Sequence, residues 1–150
     1  MSRSRQLAAI MFTDIKGYTA LMQADEERAV AMRNKHRQVF NSLTEKYDGR
    51  ILQYYGDGTL SIFDSAMQAV RCGIELQRGF REEPTIPVRI GIHMGEIFFS
   101  EEEIVGNSVN VASRVESLAV PGSVFLSEKV YDEIKNQPSI QAVRMKSVQF

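Results

Sequence analysis

The chain has a single cysteine among its 150 residues. Cys72 therefore has no internal disulfide partner, and with seven methionines the composition fits a reducing compartment, the cytoplasm. Cys72 falls inside a helical pattern and reads as a packing residue. No apolar stretch approaches the ~20 residues that span a bilayer, and no segment has the form of a signal peptide. A net charge of −1 gives no general pull toward nucleic acid or an anionic membrane, and beyond the short start Ser2-Arg3-Ser4-Arg5 there is no basic block. The two histidines make no zinc motif: His36 lies on a charged helical stretch, and His93 reads as a hydrogen-bonded structural residue. Internal repeats, linkers and low-complexity stretches are missing as well. What is present, 43% hydrophobic and 25% charged residues, is ordinary globular material. It suffices for one domain over residues 1–150 that buries roughly two thirds of its unfolded surface.

Strand and helix patterns alternate along the chain. Leu7 to Thr13 is a buried strand. Asp25 to Tyr47 is a long helix rich in exposed charge, with Asp25 as N-cap. Asp48-Gly49 marks a turn. Arg50 to Tyr55 and Thr59 to Phe63 flank Gly56-Asp57-Gly58 as a hairpin. Ser65 to Phe80 is helical, with Ala66, Ala69, Val70, Gly73, Ile74 and Gln77 on one face. After a loop with two prolines, Val88 to His93 and Glu96 to Phe99 read as strands separated by Met94-Gly95. Ser108 to Ala119 is a helix stopped by Pro121-Gly122. Ser123 to Leu126 is a strand, Glu128 to Lys135 a short helix and Ala142 to Phe150 a last strand. The order predicts an α+β fold with a ferredoxin-like βαββαβ core and an extra C-terminal strand and helix.

Three stretches carry chemistry. In FTDIKGY, Asp14 ends an apolar run at a turn. In YYGDGTLSIF, Asp57 sits between Gly56 and Gly58 with β-prone segments on each side. A strand fixes each carboxylate's origin, and the turn leaves its oxygens exposed. Mg²⁺ takes one or two such carboxylates and completes its shell with water and substrate phosphates. Two on neighbouring strands suit a two-metal centre. An Asp beside Gly is also an ordinary turn residue. In GNSVNVASRVESLAVPG, Asn110 and Arg114 are four apart and share a helix face, beside an apolar stripe of Val111, Val115 and Leu118. An amide and a guanidinium so placed can orient a hydroxyl and stabilise phosphoryl charge. A plain surface Arg near a helix start gives the same pattern.

Taken together, FTDIKGYT, GRILQYYGDGTLSIF, VRIGIHMGEIFF and GNSVNVASRVESLAVPGSVFLS resemble, in order, the motifs of the class III nucleotidyl cyclases, the adenylate and guanylate cyclase family. The resemblance runs from about Leu7 to Phe150 and is strongest to bacterial members. It implies that Asp14 and Asp57 hold two Mg²⁺ or Mn²⁺ ions, with a backbone carbonyl from Ile15. It implies that Lys16, Gly17, Tyr18 and Thr19 turn backbone N–H groups to the β- and γ-phosphates, and that Arg89 contacts the terminal phosphates. In the pattern Val-Arg-Ile-Gly-Ile, Arg89 is equally the outward member of an alternating strand. Asn110 would orient the ribose and Arg114 would stabilise the α-phosphate. The family assembles as a head-to-tail homodimer with sites at the interface.

Base recognition departs from the family's patterns. Its adenylate cyclases commonly carry Lys and Asp at the positions held here by Gln53 and Glu103. Its guanylate cyclases carry Glu and a small residue or Cys. Gln53 and Glu103 together can satisfy adenine or guanine, since an amide both donates and accepts. Glu103 keeps the acid of the adenine pattern, which favours ATP. The chain ends at Phe150, where the resemblance places the family's terminal hairpin. The leading expectation is metal-dependent cyclisation of ATP to the 3′,5′-cyclic monophosphate and pyrophosphate. The others are a guanylate cyclase, a catalytically weak nucleotide-binding or dimerisation module, and a polymerase-palm type of metal site in which Asn110 and Arg114 have no role.

Overall fold

The computed structural model describes residues 4–99, 104–143 and 145. The elements run β1 (Ser4–Ile15), α1 (Tyr18–Ala24), α2 (Glu26–Lys46), β2 (Arg50–Tyr54), β3 (Gly58–Phe63), α3 (Ala66–Arg81), β4 (Val88–Phe99), β5 (Ile104–Val105), α4 (Asn107–Leu118), β6 (Val124–Leu126) and α5 (Glu128–Ile134). The strands join in one sheet of order β2-β3-β1-β4-β5, with β6 parallel to β4. The β1–β4 core is antiparallel throughout, and α2 and α3 fill the two helical places of the expected βαββαβ order.

Alternation along β1 sends its side chains to two separate cores. Ala9, Met11 and Ile15 pack with Phe40, Phe63, Leu76 and Phe80, on the side of α2, α3 and α5. Ala8, Ile10 and Phe12 pack with Leu60, Ile62, Ile97 and Ala112, under α4. The sheet is thus covered on both faces, and its central strands read as continuous apolar runs for that reason.

Helix starts follow the side-chain signals. Asp25 accepts a hydrogen bond from the Arg28 N–H at 3.2 Å, and Ser65 accepts one from Gln68 at 3.1 Å. The expected face of α3 is the inward one: Ala66, Ala69, Val70, Gly73 and Gln77 are buried, and Ile74 packs against the same core. Cys72 is fully buried there, and burial pushes its thiol up to about 12, so it is a packing residue.

Four expectations need correction. The break at Met94-Gly95 does not exist: Val88 to Phe99 is one strand paired along its length with β1. Gly95 is small because α4 crosses there; a side chain on it would strike Ser108. The stretch after Gly17 is a seven-residue helix, α1, and not only a turn. On α4 the buried positions are Ala112, Val115 and Glu116, whereas Leu118 is 46% exposed and belongs to no inward stripe. Of the expected last strand, Ala142, Val143 and Met145 lie in no strand, and the remainder lies outside the described residues.

His36 is the largest surprise of α2. It is buried with Ala29, Phe40 and Thr44 on the helix's inner face. Its Nε2 lies 2.9 Å from Thr13 Oγ1, which in turn lies 2.6 Å from Thr59 Oγ1. The ring stacks between Phe40 and Phe80, with centroids 6.1 and 5.5 Å away. Burial, then the charge of Arg37, lowers its pKa from 6.5 to about 4, against a smaller upward pull from Asp14. Between those pH values the unfolded chain binds a proton that the folded chain refuses. Stability from this group is therefore fully present above pH 6.5 and is lost as pH falls to about 4. The loss is about 3 kcal/mol. Urea titrations at stepped pH check this: His36→Gln should be less stable than wild type at pH 7, and the gap should close as the pH is lowered. A gap that stays constant with pH would show that His36 is not held neutral.

Candidate active site

Asp14 stands near the end of β1, where three strands meet in register. It pairs with Gly58 on β3 and with Arg89 on β4. Gly58 is required at that point. A side chain there would run into the carbonyl of Thr13, and the Asp14 Cα and Cβ lie 3.2 Å from where its Cβ would be. The close approach brings the preceding turn, and Asp57 with it, onto β1: the Ile15 N–H donates to the Asp57 carbonyl at 2.8 Å. Asp14 on β1 and Asp57 in the turn before β3 thus come to one corner of the sheet.

Arg89 spans this corner. Its Nε and Nη2 donate to the two oxygens of Asp14 at 2.8 and 2.5 Å, a forked pair. Its Nε also lies 3.6 Å from Oε2 of Glu116. Glu116 comes from α4, which lies so close to β4 that a side chain on Gly91 would strike its backbone. The Glu116 side chain is 9% exposed, and its Oε2 is buried without a hydrogen-bond donor. Burial, then the charge of Asp14, holds its carboxyl well above the usual carboxylate range, opposed by Arg89. A hydrogen bond shared with Asp14, and then the charge of Asp57, add smaller pushes in the same direction.

Asp14 and Glu116 therefore contact one guanidinium, and Asp57 lies near enough to add a smaller charge effect. No three His, Cys, Asp or Glu side chains among the described residues converge on a single metal position. A hard cation held by one or two carboxylates and finished by substrate phosphates does not require such a group. The charge excess and the unfilled buried oxygen of Glu116 fit a divalent cation at Asp14 and Asp57. Ile15 is 1% exposed, so only its backbone is open to such a role.

The turn that follows is partly committed within the protein. The Lys16 N–H donates to the Pro87 carbonyl at 2.8 Å, which corrects the expectation that it points to phosphate; the Lys16 side chain is exposed. Gly17 has φ 77° and opens α1 without a side-chain cap. The N–H groups of Tyr18, Thr19 and Ala20 have no acceptor within the helix, since the first intrahelical bond runs from Leu21 to Gly17.

The remaining expected residues do not gather here. Gln53 is exposed on β2, which β3 separates from β1. Glu103 lies outside the described residues. Asn110 and Arg114 are both exposed on α4. Arg114 is two residues from Glu116, about 200° around the helix. Since Glu116 faces Asp14 and Arg89, the Asn110 and Arg114 face looks the other way. Neither of two surface hollows, one around Lys35 between α2 and α3 and one beside Tyr131 and Ile140, is lined by Asp14, Asp57 or Asn110. Glu116 was missed from sequence because it falls inside an apolar helix pattern; its one signal is an acid two residues after Arg114.

Comparison with known proteins decides the family. Residues 1–149 match the family described as the adenylate and guanylate cyclase catalytic domain. The chain belongs to that family. As a nucleotidyl cyclase domain it is 34% identical over 147 residues to putative adenylate cyclase 3 of Rhizobium meliloti, covering 93% of this chain and 25% of that protein. The cyclase domain spans 16–43% of the length of the first curated relatives it matches. Its fold superposes on an adenylate/guanylate cyclase/hydrolase from Silicibacter pomeroyi with TM-score 0.83 and 32% identity, covering 92% of this chain and 85% of that one. It superposes on the guanylyl cyclase Cya2 with TM-score 0.83 and 26% identity, covering 100% and 90%. Among the described residues of the cyclase domain, no helix is long and apolar enough to cross a membrane.

His93, expected to be structural, is so: its Nδ1 lies 2.7 Å from Ser127 Oγ and ties β4 to the start of α5.

Proposed function

We propose that this domain cyclises a nucleoside triphosphate, ATP in the first instance, to the 3′,5′-cyclic monophosphate and pyrophosphate. The observation that carries the proposal is the seating of the Asp57 turn against the end of β1, through the Ile15 N–H and the Asp57 carbonyl, at the corner where Arg89 holds Asp14. Asp14, Asp57 and the Ile15 carbonyl would hold two divalent ions, Mg²⁺ or Mn²⁺, which would supply activation of the ribose 3′-hydroxyl and shielding of phosphate charge. The chain's own groups do the positioning, which dominates phosphoryl transfer. Gly17, Tyr18 and Thr19 present backbone N–H groups to the β- and γ-phosphates, with Lys16 contributing its side-chain charge and Arg89 reaching the terminal phosphates. Asn110 orients the ribose, and Arg114 stabilises charge as the 3′-oxygen bonds to the α-phosphorus and the bond to pyrophosphate breaks. Gln53 and Glu103 read the base. A relative named as an adenylate cyclase and the retained acid at Glu103 support ATP. Whole-chain similarity to a guanylyl cyclase supports GTP as the second reading. The location is cytoplasmic.

The outward turn of Asn110 and Arg114 supports a head-to-tail homodimer. One subunit supplies Asp14 and Asp57, and the other supplies Gln53, Glu103, Asn110 and Arg114. A two-fold arrangement then holds two equivalent sites. Mixing inactive Asp57→Ala with inactive Arg114→Ala should restore turnover, because one of the two sites in each mixed dimer is intact. The restored rate should rise with protein concentration. No recovery, in a mixture shown by crosslinking to contain mixed dimers, would place all the groups in one chain and overturn this assembly.

A further inference from the structure

Arg89 occupies both oxygens of Asp14, the same oxygens that the proposed function gives to a metal. A divalent ion therefore cannot bind there without moving a guanidinium that never loses its charge. The structure shows where that guanidinium can go. Glu116 Oε2 is buried, has no hydrogen-bond donor and lies 3.6 Å from Arg89 Nε. Closing that gap to hydrogen-bond length needs a movement of about 0.7 Å. It would also give that buried oxygen a full hydrogen bond in place of the longer ion-pair contact.

Resting on the reading of Asp14 as a metal ligand, we propose that Arg89 is an internal placeholder for the metal, and that Glu116 is the positioning residue that receives it when the metal takes Asp14. In the metal-free chain Arg89 neutralises Asp14 and keeps the end of β1 docked on β4. On loading, the guanidinium moves its Nε bond from the carboxylate on β1 to the one on α4 and leaves its Nη groups for the terminal phosphates. Helix α4 is held over Gly91 by backbone contact too close for any side chain, and over Gly95 through the Ser108 side chain, so the receiving carboxylate stays in place. The same helix carries Asn110 and Arg114, so loading one half of the site tightens the element that presents the other half. A lysine in place of Arg89 lacks the fork needed to hold Asp14 by two bonds.

Binding of Mn²⁺ alone to the full chain, followed by electron paramagnetic resonance of the free ion, tests this without relying on turnover. Arg89→Met should bind Mn²⁺ more tightly than wild type, by roughly tenfold, because Asp14 has lost its competitor. Glu116→Gln should bind it more weakly, since Arg89 has lost its alternative partner. The double variant should match Arg89→Met, because Glu116 acts only through Arg89. Arg89→Lys should also bind more tightly than wild type, and it carries the test if the methionine variant does not fold. Three results discriminate. If Arg89→Met and Arg89→Lys bind no tighter while Asp14→Ala binds much more weakly, the metal reading stands and the placeholder is wrong. If Glu116→Gln weakens binding equally in the Arg89→Met background, Glu116 is itself a ligand and the relay is wrong. If Asp14→Ala binds Mn²⁺ as well as wild type, the metal reading fails and the placeholder fails with it.

Discussion

Asp57→Ala should abolish metal-dependent turnover, by on the order of a thousandfold, while leaving stability within about 1 kcal/mol of wild type. The two effects separate because of how Asp57 is held. Its backbone carbonyl makes the structural contact, accepting the Ile15 N–H at 2.8 Å, and alanine retains that carbonyl. Its side chain is half-buried at a turn. Asp14→Ala should behave differently. It should lose activity to a similar degree but also lose about 1–3 kcal/mol of stability, because Arg89 loses both bonds of its fork in a partly buried place and keeps only the single contact to Glu116. Parallel urea denaturation and rate measurements on the two variants check this contrast. Near-normal activity in Asp57→Ala would remove Asp57 from the metal site. Equal stability losses in the two would mean that the Asp14–Arg89 pair adds nothing to the fold.

Gly91→Ala should cost about 1–3 kcal/mol of stability and on the order of a hundredfold in rate. The backbone at Gly91 is not in the left-handed region, so the residue is not needed for its conformation. It is needed for space. The Cβ would meet the backbone and Cβ of Glu116, and backbone cannot swing aside as a flexible side chain does. Helix α4 must lift or slide, carrying Glu116 away from Arg89 and shifting Asn110 and Arg114. Gly56→Ala is the matched control, because a Cβ there has open space around it and the position should tolerate it in stability. Gly91→Ala with unchanged melting and unchanged rate would show that α4 is not seated where the close contact places it.

The glycines also show where sequence reading succeeded and where it stopped. Gly58 and Asp57 were legible, because a Gly-Asp-Gly between β-prone runs specifies a hairpin turn locally. Gly91 and Gly95 were not, because their smallness answers to a helix that arrives later in the chain. From sequence alone Gly95 looked like a turn residue and cut β4 in two. His36 failed for a related reason. Helix α2 has charge on most of its surface, and its buried side is a thin line of Ala29, His36, Phe40 and Thr44 in which only Phe40 is a large apolar residue. The pattern said "solvated helix", and only Thr13 and the two flanking phenylalanines reveal the inward face. Glu116 was hidden by the opposite effect, an acid inside an apolar helix face that gains meaning only from Arg89 across the contact. The pairing of Arg89 with Asp14 depends on strand register 75 residues apart, which no local pattern encodes.

Product identity tests the proposed cyclisation most directly. Purified protein, with Mn²⁺ or Mg²⁺ and with ATP or GTP in parallel, should convert ATP to the 3′,5′-cyclic monophosphate and release one pyrophosphate per product, identified by mass spectrometry and phosphorus NMR. Chelation of the metal should stop both together, and GTP should be the poorer substrate. Release of inorganic phosphate and a nucleoside diphosphate, or no cyclic product at any protein concentration with either metal, would contradict the account.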